Sequence, residues 1–269
     1  MDDIRYRLNL GVGVYSGGTM EVDKVDTICE VLNDFKRIMA EYGVKEYRVC
    51  TTSVFREMKN PLIIIEQIFR RTGIHVEVLS NAEQHFLGYK SIAAIENGFK
   101  KMIQKGTAIL DVGGGNLQIS LFDKDALVTT QSLKMGSVRI RQRLKELEKT
   151  NTNYAQLVEE FIRNDLTGFK RLYLKDRDIK NVILMGDFLT ETLFKEERQD
   201  NIITKAEFLN RYEKTVYKTE EALAEEMDID PEYAALIVPT MVSARTLLTC
   251  STAEALWMPR CFPSGRNRL

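Results

Sequence analysis

The sequence predicts an α/β chain of two domains, and three observations support this fold class. Strand-like and helix-like segments alternate through the first third of the chain, which is typical of parallel strands joined by helical crossovers. At Gly106 the pattern changes to hairpins, followed by long charged helical stretches. The length of 269 residues suits two modest domains. We place the boundary where Glu, Asn, Gly and Lys dilute the apolar pattern, which gives an N-terminal domain of residues 1–100 and a C-terminal domain of residues 101–269.

The first domain is predicted to alternate short strands with amphipathic helices. Apolar residues with period two indicate a strand, and apolar residues spaced by three and four indicate a helix. Asn60 and Pro61 open one helix, and Gly73 closes it. The predicted strands cover residues 5–10, 47–50 and 75–79, and the predicted helices cover residues 25–42, 61–72 and 81–97.

The second domain is predicted to begin with antiparallel strands and to end in helices. Residues 108–122 contain two strand-like segments that meet at three glycines, and residues 126–132 add a third. Beyond these strands, the predicted helices cover residues 137–173, 189–196, 205–217, 220–227 and 233–248, with one strand at residues 181–188.

Composition excludes several classes of protein. The 38 basic and 39 acidic residues leave a net charge of −1, so we expect no general nucleic-acid binding. No apolar run approaches the roughly 20 residues that cross a bilayer, and the acidic start lacks the pattern of a signal peptide, so we expect no membrane contact and a cytoplasmic location. Two histidines and widely spaced cysteines offer no zinc-ligand spacing. We expect reduced, mostly buried thiols at Cys29, Cys50, Cys250 and Cys261.

The segment Asp111-Val112-Gly113-Gly114-Gly115-Asn116 is the most informative for chemistry. Glycines between strands bring bare backbone N–H groups close to an anion, and Asp111 at the strand end offers a carboxylate to a metal-bound water. This favours phosphate handling. The alternative is a flexible hairpin whose aspartate only caps the turn, since neither a Walker loop nor a GxGxxG-to-helix arrangement is present.

A second candidate anion site follows a predicted parallel strand. Ser53 and Arg56 lie where open α/β sheets place their ligands, and a hydroxyl and a guanidinium are good phosphate partners. The alternative is that Ser53 caps a helix and that Arg56 lies on its solvated face.

Two further segments leave alternatives open. Glu83 follows another strand end and is the carboxylate that we select to orient an attacking water, although it could equally stabilise a helix dipole. His85, close by, is expected to be an ordinary histidine. Arg139 belongs to a cationic cluster with Arg141, Arg143 and Lys145 at the start of a helix, which indicates either anion binding or a solvated face. The GVGVYSGG segment is interpreted as a plain connection.

Taken in order, these segments resemble the exopolyphosphatase and guanosine pentaphosphate phosphohydrolase (Ppx/GppA phosphatase) family. The family's Ala-Thr-Ser…Arg segment looks like Thr51 to Ser53 with Arg56, and its Ile-Ser-Gly…Glu-Glu-Ala-Arg segment looks like Leu79 to Glu83. Its Asp-Ile-Gly-Gly-Gly-Ser loop looks like residues 111–116, and its Leu-Gly-Ala-Val-Arg motif looks like residues 135–139. The resemblance covers nearly the whole chain.

The resemblance implies two ribonuclease-H-like domains of the actin, sugar-kinase and chaperone-ATPase superfamily around a cleft. It implies that water attacks the terminal phosphoryl group of polyphosphate or guanosine pentaphosphate, with Mg²⁺ as the cofactor, and polyphosphate is favoured. Glu83 and Asp111 are the implied catalytic residues, with Asp111 also at the metal. The implied phosphate-binding residues are Ser53, Arg56, Gly113, Gly114, Gly115, Asn116, Gly136 and Arg139.

The sequence differs from the family motifs at several positions, and these differences leave other functions open. The family's first strands and phosphate loop lie upstream of the motif that resembles residues 5–11, so we expect a first domain without its initial strands. Asn116 replaces a serine, Gln118 replaces a glutamate, and the family's catalytic glutamate falls on either Glu83 or Gln84. The chain could therefore be a binding module that kept the fold and lost turnover, or an ATPase of the same superfamily. An unpaired sheet edge would favour a homodimer.

Overall fold

Two compact units make up the chain in the computed structural model, which describes residues 4, 6, 8–95, 98–148, 153–186 and 202–259. The first unit is Met1–His85 and the second is Phe86–Leu269. The sequence places the domain boundary at residues 100 and 101, whereas the units divide within a helix that begins at Asn81 and ends at Ile95. We refer to them as unit 1 and unit 2.

Unit 1 packs short strands and helices around one apolar core. The elements are α1 (Val14–Gly17), α2 (Val22–Glu41), β1 (Val49–Thr51), α3 (Ser53–Glu57), α4 (Pro61–Thr72) and β2 (Val76–Val78). Strands β1 and β2 are parallel, as their helical crossover requires, and pair with Val49 opposite Val76. The core includes Ile28 of α2 and Ile68 of α4, which are both buried.

The predicted start and end of α4 are confirmed. Asn60 is the N-cap, Pro61 is the first helical residue, and Gly73 ends the helix in the left-handed conformation with φ 71°. Pro61 has the fixed φ that a first helical turn needs, and glycine adopts positive φ without a steric penalty.

The predicted strand at residues 5–10 is wrong for the part of it that the structure describes. Tyr6 and residues 8–10 lie outside any strand, and Asn9 adopts the left-handed conformation with φ 46°. The period-two pattern nevertheless has a packing cause. Leu8 and Leu10 contact the core of unit 1. The Tyr6 and Phe35 rings pack in an edge-to-face arrangement with their centroids 5.4 Å apart.

The two-stranded sheet of unit 1 leaves its outer edges unpaired within the described residues. Unpaired backbone N–H and C=O groups at a sheet edge can pair with a second chain. We therefore expect poor solubility or dimerisation at high protein concentration, measured by light scattering. A molecular mass that stays that of a monomer at high protein concentration would contradict this expectation.

Unit 2 is built on a six-stranded mixed sheet. The strands are β3 (Thr107–Val112), β4 (Leu117–Asp123), β5 (Ala126–Leu133), β6 (Asn181–Met185), β7 (Ile202–Thr204) and β8 (Ala255–Trp257). Their order in the sheet is β5-β4-β3-β6-β8-β7, and β3 pairs antiparallel with β4 and parallel with β6, so β3 lies at the centre. Helix α5 (Asn81–Ile95) leads from unit 1 into unit 2. The helices are α6 (Phe99–Ile103), α7 (Ser137–Glu148), α8 (Tyr154–Phe169), α9 (Lys205–Thr215), α10 (Glu220–Met227), α11 (Pro231–Ala234) and α12 (Ile237–Thr249).

Both faces of this sheet are buried at its centre, as β3 shows. Leu110 belongs to the larger apolar cluster, which includes residues of α7, α8 and α12. Ile109 faces the other way into a smaller cluster with Ile92 of α5 and Phe99 of α6. A strand buried on both sides explains the continuous apolar run of the sequence there.

The helical part of unit 2 is more divided than the sequence predicts. The stretch predicted at residues 137–173 forms α7 and α8, and the Asn153 side chain accepts a hydrogen bond from the Gln156 N–H at the start of α8. A π-helical turn (Lys170–Leu174) then follows α8. The helix predicted at residues 233–248 forms α11 and α12, and the helix predicted at residues 189–196 lies outside the described residues.

Two remaining predictions concern membranes and thiols. Among the described residues, the structure contains no helix that is long and apolar enough to cross a membrane. Cys29, Cys50 and Cys250 are free thiols, as predicted, but only Cys29 is buried, and Cys50 is exposed. Cys261 lies outside the described residues.

Candidate functional site

The loop Gly113–Asn116, which we call the triglycine loop, joins β3 to β4 in unit 2. Its carbonyl groups are held from one side by the segment that begins α7. The donors are the backbone N–H groups of Ser137, Arg139 and Gly136, at 3.0, 3.1 and 3.1 Å from the carbonyl oxygens of Gly113, Gly114 and Gly115. Fixing three successive carbonyls fixes the direction of the loop's N–H groups as well.

The N–H groups of the triglycine loop are the part that can bind an anion. The Gly113 N–H donates to the Asn116 carbonyl at 3.0 Å and closes the turn. Within the described residues, the N–H groups of Gly114, Gly115 and Asn116 donate to no acceptor. Successive unpaired N–H groups in a tight turn form a concavity for an anion.

Gly136 allows the close approach that holds the triglycine loop. A Cβ atom on Gly136 would lie 2.4 Å from the Gly113 oxygen and 2.4 Å from both the carbonyl carbon and the oxygen of Gly114. No side chain fits in this space. The role of Gly136 is therefore to let two backbone segments contact each other directly.

Arg139 also supports the triglycine loop. The residue is 4% exposed, and its Nε donates to the Gly115 carbonyl at 2.9 Å. The guanidinium therefore contacts the carbonyl side of the loop. Direct contact of Arg139 with a phosphate stays a prediction.

Asp111 lies at the end of β3, next to the triglycine loop. Within the described residues, its carboxylate forms no hydrogen bond or ion pair. Desolvation raises the pKa of Asp111 to about 6. Its cross-strand neighbour is Gln118, which is buried and brings no compensating charge. A desolvated carboxylate without a cation is a position where a metal ion would be stabilised.

The residues around Asp111 could bind a magnesium ion through one carboxylate together with substrate phosphates. The described residues contain no group of three or more His, Cys, Asp or Glu side chains that could enclose a metal ion. Mg²⁺ usually keeps several waters and binds one or two carboxylates together with substrate phosphates. Asp111 beside a phosphate-binding loop fits that mode of binding.

Gly186 follows β6 and lies close to the end of β3. Its φ of 143° favours glycine, and a Cβ atom there would lie 3.1 Å from the Val112 oxygen. The residue therefore permits close approach of the two strand ends next to Asp111.

In unit 1, Arg56 forms the centre of a second group of polar residues. Its Nη1 donates to the Leu79 carbonyl at 2.5 Å, and its Nη2 donates to Gln84 Oε1 at 3.0 Å. Burial lowers the pKa of Arg56, and the charge of Glu57 partly opposes this effect without forming an ion pair with the guanidinium. A half-buried guanidinium that makes no ion pair within the described residues is suited to an anion.

Ser53 lies at the start of α3, and its hydroxyl has a partner that the sequence analysis missed. The Ser53 Oγ and Tyr15 Oη atoms are 2.8 Å apart. Tyr15 belongs to α1, within the segment interpreted as a plain connection. No spacing rule links two residues this far apart, so the sequence offers no signal for the pair.

Glu83 closes a capping box at the start of α5. Its Oε2 accepts from the Ser80 N–H at 2.9 Å, and its own N–H donates to Ser80 Oγ at 3.2 Å. These hydrogen bonds lower the pKa of Glu83, so the exposed carboxylate is ionised at neutral pH. The catalytic role of Glu83 stays a prediction, and the alternative role at the helix start is present in the structure.

The cationic cluster at the start of α7 does not form one surface. Arg139 is buried, and Arg141 pairs with Glu220 at 2.6 Å and lies over the Tyr154 ring at 5.7 Å. Only Arg143 and Lys145 are exposed. Two of the four cations, Arg139 and Arg141, therefore contact other residues of unit 2 and do not face solvent as part of one basic surface.

Residues 1–254 match the Ppx/GppA phosphatase family. The chain belongs to this family.

Solved structures of Ppx/GppA proteins have the same fold. An exopolyphosphatase from Cytophaga hutchinsonii matches with a TM-score of 0.79 and 17% identity, over 93% of this chain and 82% of the other. The Ppx/GppA family member of Aquifex aeolicus matches with a TM-score of 0.70 and 16% identity, over 95% and 83% of the two chains. The predicted α/β fold class is confirmed.

Curated relatives are longer than the region they share with this chain. A guanosine-5'-triphosphate,3'-diphosphate pyrophosphatase of Vibrio atlanticus is 23% identical over 86% of this chain and 45% of its own length. Exopolyphosphatase 1 of Mycobacterium tuberculosis is 21% identical over 52% of this chain and 40% of its own. A bifunctional 3-dehydroquinate synthase/phosphatase of Fusobacterium nucleatum is 24% identical over 51% and 20%. The chain thus spans less than half the length of these relatives.

The Ppx/GppA motifs gather into one group in each unit. In unit 2 the structure brings Asp111 together with the triglycine loop, Gly136 and Arg139. In unit 1 it brings Arg56 together with Gln84, while Glu83 binds Ser80 instead.

Proposed function

We propose that this Ppx/GppA family member is a phosphohydrolase that cleaves the terminal phosphoanhydride bond of inorganic polyphosphate, with guanosine pentaphosphate as the second substrate. The observation that carries the proposal is the triglycine loop, which is fixed by its carbonyls and keeps three N–H groups unpaired within the described residues. The named activities of the exopolyphosphatase and pyrophosphatase relatives support the same class of substrate.

Asp111 is the residue that would hold Mg²⁺, since its desolvated carboxylate has no partner within the described residues. A bound Mg²⁺ would neutralise charge on the phosphoryl oxygens. The triglycine loop would donate its N–H groups to the same kind of oxygen. Phosphoryl transfer needs little covalent help from the protein, so positioning and charge stabilisation supply most of the rate.

The reaction forms one bond and breaks one. The water oxygen attacks the terminal phosphorus, and the bridging P–O bond breaks with its electron pair on the shortened chain. Orthophosphate is released, and the proton of the water passes to a carboxylate. Glu83 is the carboxylate that we propose for this role.

Phosphate release tests this proposal directly. We expect wild-type protein to release orthophosphate from polyphosphate in the presence of Mg²⁺, and more slowly from guanosine pentaphosphate. Asp111→Asn is the matched control, because it keeps the shape of the side chain and removes its charge. Release no faster than that of Asp111→Asn would defeat the hydrolase proposal.

A second candidate function is a binding module that holds polyphosphate without turnover. The observation that favours it is the position of Gln84, whose amide oxygen contacts Arg56, whereas Glu83 is bound at the start of α5. An amide cannot accept the proton of an attacking water. Polyphosphate binding without phosphate release would support this candidate, and thermal stabilisation by ATP but not by polyphosphate would favour an ATPase.

The variants Gln84→Glu and Glu83→Gln separate the two carboxylate positions. If the position beside Arg56 is the reactive one, Gln84→Glu should increase phosphate release by about tenfold or more, because general bases typically contribute 10²- to 10⁴-fold. Glu83→Gln should then leave release unchanged and lower stability only slightly through the weakened cap. Loss of release in Glu83→Gln, with no gain in Gln84→Glu, would assign the role to Glu83.

A further inference from the structure

His85 is a buried polar residue that the proposed reaction does not use. It is 8% exposed and follows Gln84 in the first turns of α5. Its Nε2 is buried and has no hydrogen-bond partner within the described residues. Burying a polar group without a partner usually costs about 1–3 kcal/mol, so a histidine kept in this state calls for a ligand or a water.

The charge of Arg56 acts on the His85 imidazole. The pKa of His85 is lowered to about 4, mainly by desolvation and secondly by the positive charge of Arg56. The imidazole is therefore neutral at pH 7. A neutral imidazole can donate one hydrogen bond without adding a second full positive charge next to the guanidinium.

The same kind of ligand, an anion with several acceptor oxygens, would satisfy both Arg56 and His85. Two hydrogen bonds to Leu79 and Gln84 orient the guanidinium, and the charge of Glu57 acts on it without forming an ion pair. An anion would neutralise Arg56 and could also accept from the imidazole. Orthophosphate and the terminal phosphoryl group of polyphosphate each carry several acceptor oxygens, which allows both contacts.

We infer that His85 is a further phosphate-binding residue, whose Nε2 donates to the anion that Arg56 binds. This inference rests on the proposed function for its substrate class, but it concerns binding within unit 1 and not turnover. It assigns His85 a role that differs from the ordinary histidine expected from the sequence.

The two histidines of the chain make nuclear magnetic resonance a direct test. His75 is exposed and stacks on the Phe69 ring at 4.3 Å between centroids, so it serves as an internal control. Orthophosphate is added to isotopically labelled wild-type protein at constant pH and ionic strength. We expect the ring signals of His85 to shift in a saturable manner and those of His75 to stay in place. His75→Gln assigns the signals.

Variants then test whether Arg56 and His85 share one anion. Arg56→Gln should remove the phosphate-dependent shift of His85. His85→Leu should weaken orthophosphate and tripolyphosphate binding by about tenfold, the size expected for losing one hydrogen bond to a charged group. His85→Gln keeps an N–H donor and should recover part of that loss. Thermal melts of each variant show whether it is folded.

The possible results separate this inference from the proposed function. A saturable His85 shift that disappears in Arg56→Gln supports the inference. Unmoved His85 signals overturn it, whether or not phosphate binds elsewhere. Equal affinity of the wild-type protein and a folded His85→Leu variant also overturns it. Phosphate release from polyphosphate is measured separately on wild-type protein, so its failure would count against the proposed function alone.

Discussion

Asp111→Asn is expected to abolish Mg²⁺-dependent phosphate release and, at the same time, to stabilise the folded protein at neutral pH. Both effects have one cause, which is the uncompensated negative charge at the end of β3. The asparagine keeps the volume of the side chain but no longer attracts a cation. We expect release to fall by at least 10²-fold, as when a group that stabilises charge in the transition state is removed.

The sign of the stability effect follows from the direction of the pKa shift. Desolvation raises the pKa of Asp111 from 3.8 to about 6, so the folded state binds the proton more tightly than the unfolded state. The stabilisation from this group is fully present below pH 3.8 and is lost as the pH rises through 6. Asp111→Asn does not titrate and should not show this loss.

Urea denaturation at several pH values measures the effect. The shift corresponds to about 3 kcal/mol for a fully shielded group, and because Asp111 is only partly buried we expect about 1–2 kcal/mol at pH 7. The free energy of unfolding of Asp111→Asn should exceed that of the wild type at pH 7 and approach it at pH 4. Added Mg²⁺ should stabilise the wild type and not the variant. A difference between the two proteins that does not depend on pH would contradict the assigned cause.

Local signals in the sequence were sufficient for several elements of the fold. The Pro61 and Gly73 boundaries of α4 follow from backbone chemistry at single positions, so no tertiary information is needed. The Ser80 and Glu83 spacing is a capping-box signature, which agrees with the helix-start role that the sequence leaves open for Glu83. Where structure depends on neighbours in the chain, the sequence predicts it well.

Contacts between distant residues account for what the sequence could not predict. Strands β7 and β8 have three residues each, and their pairing with each other depends on the sheet around them. Arg139 lies in a charge run that resembles a solvated face, yet its Nε contacts Gly115, 24 positions away. The triglycine loop was evident as a motif, but only the structure shows that the carbonyls of its three glycines accept hydrogen bonds while the N–H groups of Gly114, Gly115 and Asn116 donate to no acceptor within the described residues.

Gly136→Ala is expected to cause the largest loss of stability among the glycine variants near the triglycine loop. The added methyl group would lie 2.4 Å from backbone atoms of Gly113 and Gly114, which have no rotamer through which to move away. Either the start of α7 or the loop itself must shift. We expect a loss of about 2–4 kcal/mol, at the upper end of overpacking effects, because backbone and not side chain is displaced.

The same substitution should weaken phosphate binding more than stability alone explains. Displacing the start of α7 removes the hydrogen bonds that fix the Gly113, Gly114 and Gly115 carbonyls, so the unpaired N–H groups lose their common direction. Gly168→Ala is the matched control, because a Cβ atom at that position in α8 meets no atom within 4 Å. Alanine there should stabilise the helix by about 0.5–1 kcal/mol and leave orthophosphate affinity unchanged. If Gly136→Ala is destabilised as expected but binds orthophosphate as tightly as Gly168→Ala, the fixed triglycine loop is not the anion site, since binding would have survived the displacement of its support. If Gly136→Ala is as stable as Gly168→Ala, the added methyl group displaces nothing and the assigned role of Gly136 is wrong.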